Sequence, residues 1–272
     1  MKCFYINLDR ALERRNSIES SFARNKKGSW SLTRIPAVDA GYVQSEKIPG
    51  KIAPSEKGCF LSHLKVLEHN VNLNEHFFIL EDDAIFGRAT CKLVDKFTQI
   101  QNKAFDWDIL FTDLGIGSIG AMAELVVMRH KLASRNEQDV INLRFLHYFG
   151  STAYIVNRRS IQKLLSIAKK APMDEPYDIF LRRMIHERKI NAFATVPFLT
   201  SLSESTVDSA VQRSDQARTD LIWSLFRRMV WLDGNDFDPK ESLDEIAKSL
   251  SERSKAYGLL WSCMIDPSFV LK

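Results

Sequence analysis

Phe77-Phe78-Ile79-Leu80 is apolar without interruption and runs directly into Glu81-Asp82-Asp83. Continuous rather than alternating apolarity predicts a strand buried on both faces, which places helices on both sides of a parallel sheet. The three acids then stand at the carboxyl end of that strand, where open α/β sheets bind their ligands. Carboxylates this close raise one another's pKa unless something positive sits among them. Their hard oxygens suit Mg²⁺ or Mn²⁺, ions that draw further ligands from water and from substrate phosphates. The plainer reading, in which Glu81 and Asp82 cap a following helix, needs only one acid at a loop position.

The rest of the chain repeats the strand and helix alternation. Phe4-Tyr5-Ile6 predicts a short buried strand, followed by helical spacing through Leu12, Arg15, Ile18 and Phe22. Residues 36–54 are rich in Gly, Pro and polar side chains and predict a long loop, after which Ser55 is the expected N-cap of a helix with the stripe Phe60, Leu64, Leu67, Val71. Glu56, Cys59 and His63 project from another face of that helix. Further strands are expected at Ile109–Phe111, Leu125–Met128, Thr152–Val156 and Asn191–Val196, with helices after Asn157 and over Tyr177–Arg188. This alternation predicts a mixed, mainly parallel α/β sheet. Residues 201–219 read as a polar loop and the remainder as helical, a C-terminal appendage.

A chain of 272 residues with 45% hydrophobic and 26% charged residues has room for one large α/β domain plus such an appendage, and excludes disorder, collagen and coiled coil. The net charge of +4 is too small to argue for nucleic acid. Cys3, Cys59, Cys91 and Cys263 show no CxxC pairing, so reduced thiols in a cytosol are expected. The amino-terminal apolar run breaks after three residues, and no stretch reaches the roughly 18 residues of a membrane span, which predicts neither a secretory signal nor a transmembrane helix.

Gly115-Ile116-Gly117-Ser118-Ile119-Gly120 spells G-x-G-x-x-G after an expected strand, with Ala121–Ala133 able to form a helix. As a dinucleotide fingerprint it fails in context, because the acids near the right distance, Glu137 and Asp139, precede an apolar run instead of ending a strand. An NAD-dependent oxidoreductase is the alternative it leaves.

Several blocks in order resemble glycosyltransferase family 25, the bacterial lipooligosaccharide galactosyltransferases and their collagen-modifying relatives. They are Ile6-Asn7-Leu8-Asp9-Arg10 with Arg14-Arg15; Ala37-Val38-Asp39-Ala40; Glu56-Lys57-Gly58-Cys59-Phe60-Leu61-Ser62-His63-Leu64; Ile79-Leu80-Glu81-Asp82-Asp83-Ala84; Gly150-Ser151-Thr152-Ala153-Tyr154-Ile155-Val156; and Pro172-Met173-Asp174. The resemblance covers about residues 2–205. It implies a GT-A fold, Rossmann-like, over residues 1–205, with 206–272 as a helical extension. It also implies a metal-dependent, inverting transfer of a hexose, galactose favoured, from a UDP-sugar to a lipooligosaccharide or lipopolysaccharide acceptor. A non-catalytic saccharide-binding relative is the other alternative.

On that resemblance Glu81-Asp82-Asp83 is the DxD-type motif. Asp83 is first choice for Mn²⁺ or Mg²⁺, and Glu81 and Asp82 share metal, ribose or donor sugar. Asn7, Leu8 and Asp9 meet the nucleoside, Arg15 reaches the diphosphate, and Asp39, Glu56, Ser62 and His63 line the donor cleft. Inversion requires a carboxylate to take the acceptor proton; Asp174 is the first choice and Asp113 the runner-up. A lipid-linked oligosaccharide acceptor is expected, at the inner face of a bacterial inner membrane. On a helix over 221–232, Trp223, Arg227 and Trp231 form a stripe with Arg228 beside it, opposite Leu221, Ile222, Leu225 and Met229. That stripe is read either as settling at headgroup level or as packing, with a homodimer contact on one face.

Overall fold

The computed structural model describes residues 1–104, 106–203, 223–234 and 250–265. Its centre is a seven-stranded sheet in the order β2-β1-β3-β7-β5-β8-β6. The strands are β1 Lys2–Asn7, β2 Ser31–Pro36, β3 Phe77–Glu81, β5 Ile109–Ile116, β6 Asp139–Asn142, β7 Tyr148–Val156 and β8 Ala192–Val196. β1 is parallel to β2 and β3, and β5 to β8, whereas β7 runs antiparallel between β3 and β5 and β6 antiparallel at the edge. A small second sheet pairs β4 Ala84–Phe86 with β9 Thr200–Leu202.

β3 explains why the sheet is two-sided. Phe77 and Ile79 pack in one core cluster and Phe78 and Leu80 in the other, all fully buried. The first cluster is covered by α3 Pro54–His69, α6 Ile161–Lys169 and α7 Tyr177–His186, the second by α1 Leu12–Asn25 and α4 Thr90–Ala104. Registering Ile6 beside Glu81 brings the carboxyl ends of β1 and β3 to one edge. That edge is where Glu81, Asp82 and Asp83 turn into β4.

Several local expectations change. Leu125–Met128 is not a strand but part of α5 Ile119–Ser134, where Leu125 and Val126 face the core; four apolar residues fit either period, and length decides. The N-cap of α3 is Ala53 with Pro54 at the first helical position, not Ser55. The 36–54 stretch holds a short helix, α2 Ala40–Ser45, capped by Asp39 accepting from Gly41 N–H at 2.7 Å. The edge strand β2 escapes the sequence because only Ile35 of its six residues is buried and Arg34 interrupts the apolar pattern. The glycine run is no phosphate cradle. Gly115 lies inside β5, and a Cβ there would come within 2.3 Å of the Phe149 ring, so an aromatic side chain fills the space.

The helix over 223–230 corrects the membrane reading of its stripe. Leu221 and Ile222 lie outside the described residues. Trp223 meets Phe149 edge to face at 4.8 Å, while Phe226 and Val230 join the main core. Arg227 and Arg228 are each only 6% exposed. Arg227 Nε donates to Asp113 Oδ1 at 2.8 Å, with Nη2 2.7 Å from Asp113 Oδ2 and 2.9 Å from Thr152 Oγ1. A buried carboxylate needs a buried cation, and that demand turns the stripe inward. Phe198 N–H bonds Val230 O at 3.0 Å and Leu232 N–H bonds Phe198 O at 2.9 Å, fastening the segment to the sheet.

The same pairing sets a prediction. Arg227→Met leaves Asp113 buried and uncompensated and should cost about 3–5 kcal/mol of unfolding free energy. Adding Asp113→Asn should recover most of that loss in denaturant titrations. A double variant as unstable as the single would show that Arg227 is packing and not a counter-charge.

Candidate active site

At the shared edge a pocket opens between β1, β3 and α3. It is lined by Ile6, Asn7, Leu8, Arg14, Ala37, Val38, Ser55, Cys59, Ser62, His63, Glu81 and Asp82. Asn7 is buried and fully engaged. Its amide donates to Ala11 O at 3.0 Å and to Asp82 Oδ2 at 2.8 Å, and its carbonyl oxygen accepts from Arg34 Nε at 2.9 Å. Arg14 Nη1 donates to the other Asp82 oxygen at 2.8 Å. Asp82 is thus clamped between an amide and a guanidinium, which offset the upward push of burial on its carboxyl without cancelling it.

Glu81 faces the pocket with its side chain 30% exposed. Ser151 Oγ donates to its Oε1 at 2.7 Å, and His63 Nε2 lies 3.4 Å from the same oxygen. Burial pushes Glu81 up, but His63 and Ser151 outweigh it and hold the carboxyl below its usual range. His63 is fixed from behind. Its Nδ1 lies 3.0 Å from the Tyr154 hydroxyl, and the Tyr177 ring stacks on it at 4.2 Å and 7°.

Asp83 is the least satisfied group of the cluster. It is 8% exposed, and its Oδ1 is buried with no hydrogen-bond partner among the described residues. Burial and the neighbouring Glu81 push its carboxyl up to about 7, against the pull of Arg14. An orphaned carboxyl oxygen has the hard-donor chemistry a divalent cation takes, but Asp83 does not line the pocket, and its oxygens do not converge with those of Glu81 and Asp82 as a ready ligand set.

The other expected residues are dispersed. Leu8 lines the pocket, but Asp9 is exposed and bonds Arg34 Nη2 at 2.5 Å. Arg15 does not reach the pocket: one residue along α1 turns it outward, to Glu19 at 3.0 Å, and Arg14 takes the inner position. Asp39 pairs with Arg10 while capping α2. Glu56 accepts the Ala53 N–H at 2.8 Å in the first turn of α3. Ser62 bridges Gly58 O at 2.6 Å and Val38 N–H at 2.8 Å. Asp113, fully buried under Arg227, has no exposed oxygen to offer an acceptor.

Asp174 is exposed and does not line the pocket. Its Oδ1 accepts the Lys51 N–H at 3.2 Å and its Oδ2 lies 2.9 Å from Lys51 Nζ, which holds its carboxyl low. Gly50 makes this contact feasible: at φ +123° its Cα abuts the Met173 carbonyl, where a Cβ would stand 2.4 Å away. Lys51 lies just ahead of Ser55 on the pocket rim.

Sequence reasoning missed Arg14, Arg227 and Cys59 as parts of the site. Cys59 was visible on the same helical face as His63, four residues apart; Arg227 lies far along the chain and had no signal beyond its aromatic neighbours.

The sequence profile of glycosyltransferase family 25, described as an LPS biosynthesis protein family, matches residues 1–181. A glycosyltransferase 25 family member from Aedes aegypti is 25% identical over 214 residues, 70% of this chain and 32% of that protein. One from Anopheles gambiae is 24% identical over 242 residues, 75% of this chain and 37% of that protein. The chain therefore spans about a third of the length of the curated relatives it matches. A solved inositol-1-phosphate CTP transferase from T. maritima overlaps 79% of this chain and 93% of its own at 12% identity, with a TM-score of 0.33, too slight a likeness to carry an argument. With two thirds of its length matched by the family profile, this chain belongs to glycosyltransferase family 25.

Proposed function

We propose that the chain transfers a hexose, galactose favoured, from a UDP-sugar to a lipid-linked saccharide acceptor, with inversion to a β linkage and with a divalent cation at Asp83. The observation that carries this is the carboxyl-edge cluster: an orphaned Asp83 oxygen, a pocket-facing Glu81, and Arg14 directed at the same acids. Asp83 and Glu81 are the residues that would hold Mn²⁺ or Mg²⁺, which when bound supplies charge neutralisation to the departing diphosphate. Arg14 is placed to share that charge, since it keeps partial exposure at 29% while anchored on Asp82. Leu8 and Val38 give the pocket an apolar wall for the nucleoside base, and the Asn7 amide keeps the β1 end rigid. His63, buffered by two tyrosines, orients Glu81 toward the donor.

The acceptor hydroxyl must lose a proton as the bond to the diphosphate breaks. Asp174, ionised by Lys51 and solvent-accessible, is the proposed base. No helix among the described residues is long and apolar enough to cross a membrane. The helix Glu252–Ile265 exposes Tyr257, Leu259, Leu260 and Trp261, a surface suited to a membrane-carried acceptor or to a second copy of the chain.

Asp83→Asn should lower UDP-galactose turnover about a hundredfold or more in the presence of Mn²⁺. The same variant has a signature free of activity. In wild type without metal, a carboxyl near 7 in the fold and near 3.8 unfolded binds extra protons in the native state, so stability should fall as pH rises from about 4 to about 7. Asp83→Asn should flatten that slope in EDTA. Wild-type turnover in the variant, or full activity of the native enzyme in EDTA, would contradict the cation assignment.

Asp174→Asn should abolish transfer while leaving UDP-sugar affinity by calorimetry nearly unchanged, because the base acts on the acceptor. Loss of donor affinity would make Asp174 part of the donor site, and unchanged transfer would exclude it as the base.

A further inference from the structure

We propose that Cys59, His63 and Glu81 form a site for a thiophilic divalent cation of the Zn²⁺ class, distinguished from the Asp83 site, with which it shares Glu81, by its sulfur and nitrogen ligands. The Cys59 thiol sulfur, a His63 ring nitrogen and a Glu81 carboxylate oxygen all lie within 4.8 Å of one another. Tetrahedral Zn²⁺, with bonds of about 2.3 Å to sulfur and about 2.0–2.2 Å to nitrogen and oxygen, needs its ligand atoms about 3.5 Å apart. His63 Nε2 and Glu81 Oε1 already stand 3.4 Å apart. Cys59 Sγ lies within 4.8 Å of both.

The supports expected around such ligands are present. Cys59 and His63 are four residues apart on α3 and therefore share a face. The imidazole nitrogen facing away from Glu81 meets the Tyr154 hydroxyl at 3.0 Å, and that hydroxyl lies 3.0 Å from Tyr177. With Tyr177 stacked on the ring, the imidazole orientation is fixed before any ion arrives, as outer-shell partners do in metal sites. Ser151 holds the Glu81 carboxylate in the same way. All three ligands line the pocket, which leaves the fourth position open to water or to a substrate oxygen.

Softness separates this site from the one at Asp83. A thiolate selects Zn²⁺ or Co²⁺ over Mg²⁺ and Mn²⁺, which prefer carboxylate and phosphate oxygens. On binding, the sulfur–metal bond forms as the thiol proton leaves to solvent, with no change of oxidation state. Glu81 borders both sites, so a soft ion here withdraws it from the donor side of the pocket. The site requires nothing of the transferase reading, and its test is made without substrate.

Co²⁺ added to the metal-free full-length chain should produce a near-ultraviolet thiolate-to-cobalt charge-transfer band that saturates at one equivalent. Cys59→Ser should abolish the band, and Glu81→Gln should keep it while weakening affinity tenfold or more. A wild type without the band overturns the site. So does a band that persists in Cys59→Ser, which would place the thiolate at Cys3, Cys91 or Cys263, or a Glu81→Gln titration identical to wild type. X-ray absorption of Zn²⁺-loaded wild type checks the same claim without a variant: one sulfur at about 2.3 Å with nitrogen and oxygen near 2.0–2.2 Å is expected. A shell of oxygen and nitrogen alone refutes it.

Discussion

Four carboxylates, Glu81, Asp82, Asp83 and Asp113, are brought to one edge of the sheet with their exposure largely removed. Each loses hydration, and Glu81 raises the cost of ionising the other three. The fold answers with two arginines from opposite ends of the chain. Arg14 leaves α1 to hold Asp82, and Arg227 leaves the 223–230 helix to hold Asp113. Both also pull on Asp83 from a distance, yet neither bonds its orphaned oxygen. Much of the tertiary arrangement follows from supplying these cations while leaving one oxygen of Asp83 without a partner.

The local structure around each arginine serves that end. Asn7 closes β1 and bonds Asp82, so the strand that carries α1 and the strand that carries the acids are locked in register. On the other side, Phe198 exchanges backbone bonds with Val230 and Leu232 of the C-terminal segment, and Trp223 wedges against Phe149. The Gly115 gap beneath Phe149 is part of this brace. A residue outside the 1–181 family match therefore compensates a charge in the middle of the sheet.

Much of this was legible from residues alone. The unbroken Phe77–Leu80 run ending in acids gave the buried strand and the edge of the sheet at which the pocket opens. Ordered blocks from Ile6 to Asp174 carried the family. What stayed hidden depended on side-chain direction or on distance along the chain. Arg14 and Arg15 are adjacent in sequence and differ by one helical step, which sends one to Asp82 and the other to Glu19. Leu125–Met128 is too short for its period to show. Arg227 could be read as headgroup-binding or as packing because its partner, Asp113, lies 114 positions earlier. Asp174 and Glu81 do not line one pocket, which no spacing argument reveals.

The account rests on the acids and Arg14 acting together on a cation and a diphosphate. Thermal melting of the full chain with UDP alone, Mn²⁺ alone and both tests this most directly, because a ligand of the native state must raise the midpoint. The account predicts a rise with both together that exceeds the sum of the separate rises, and that shrinks to additivity in Arg14→Met. Equal stabilisation by UDP with and without Mn²⁺, undiminished in Arg14→Met, would contradict it.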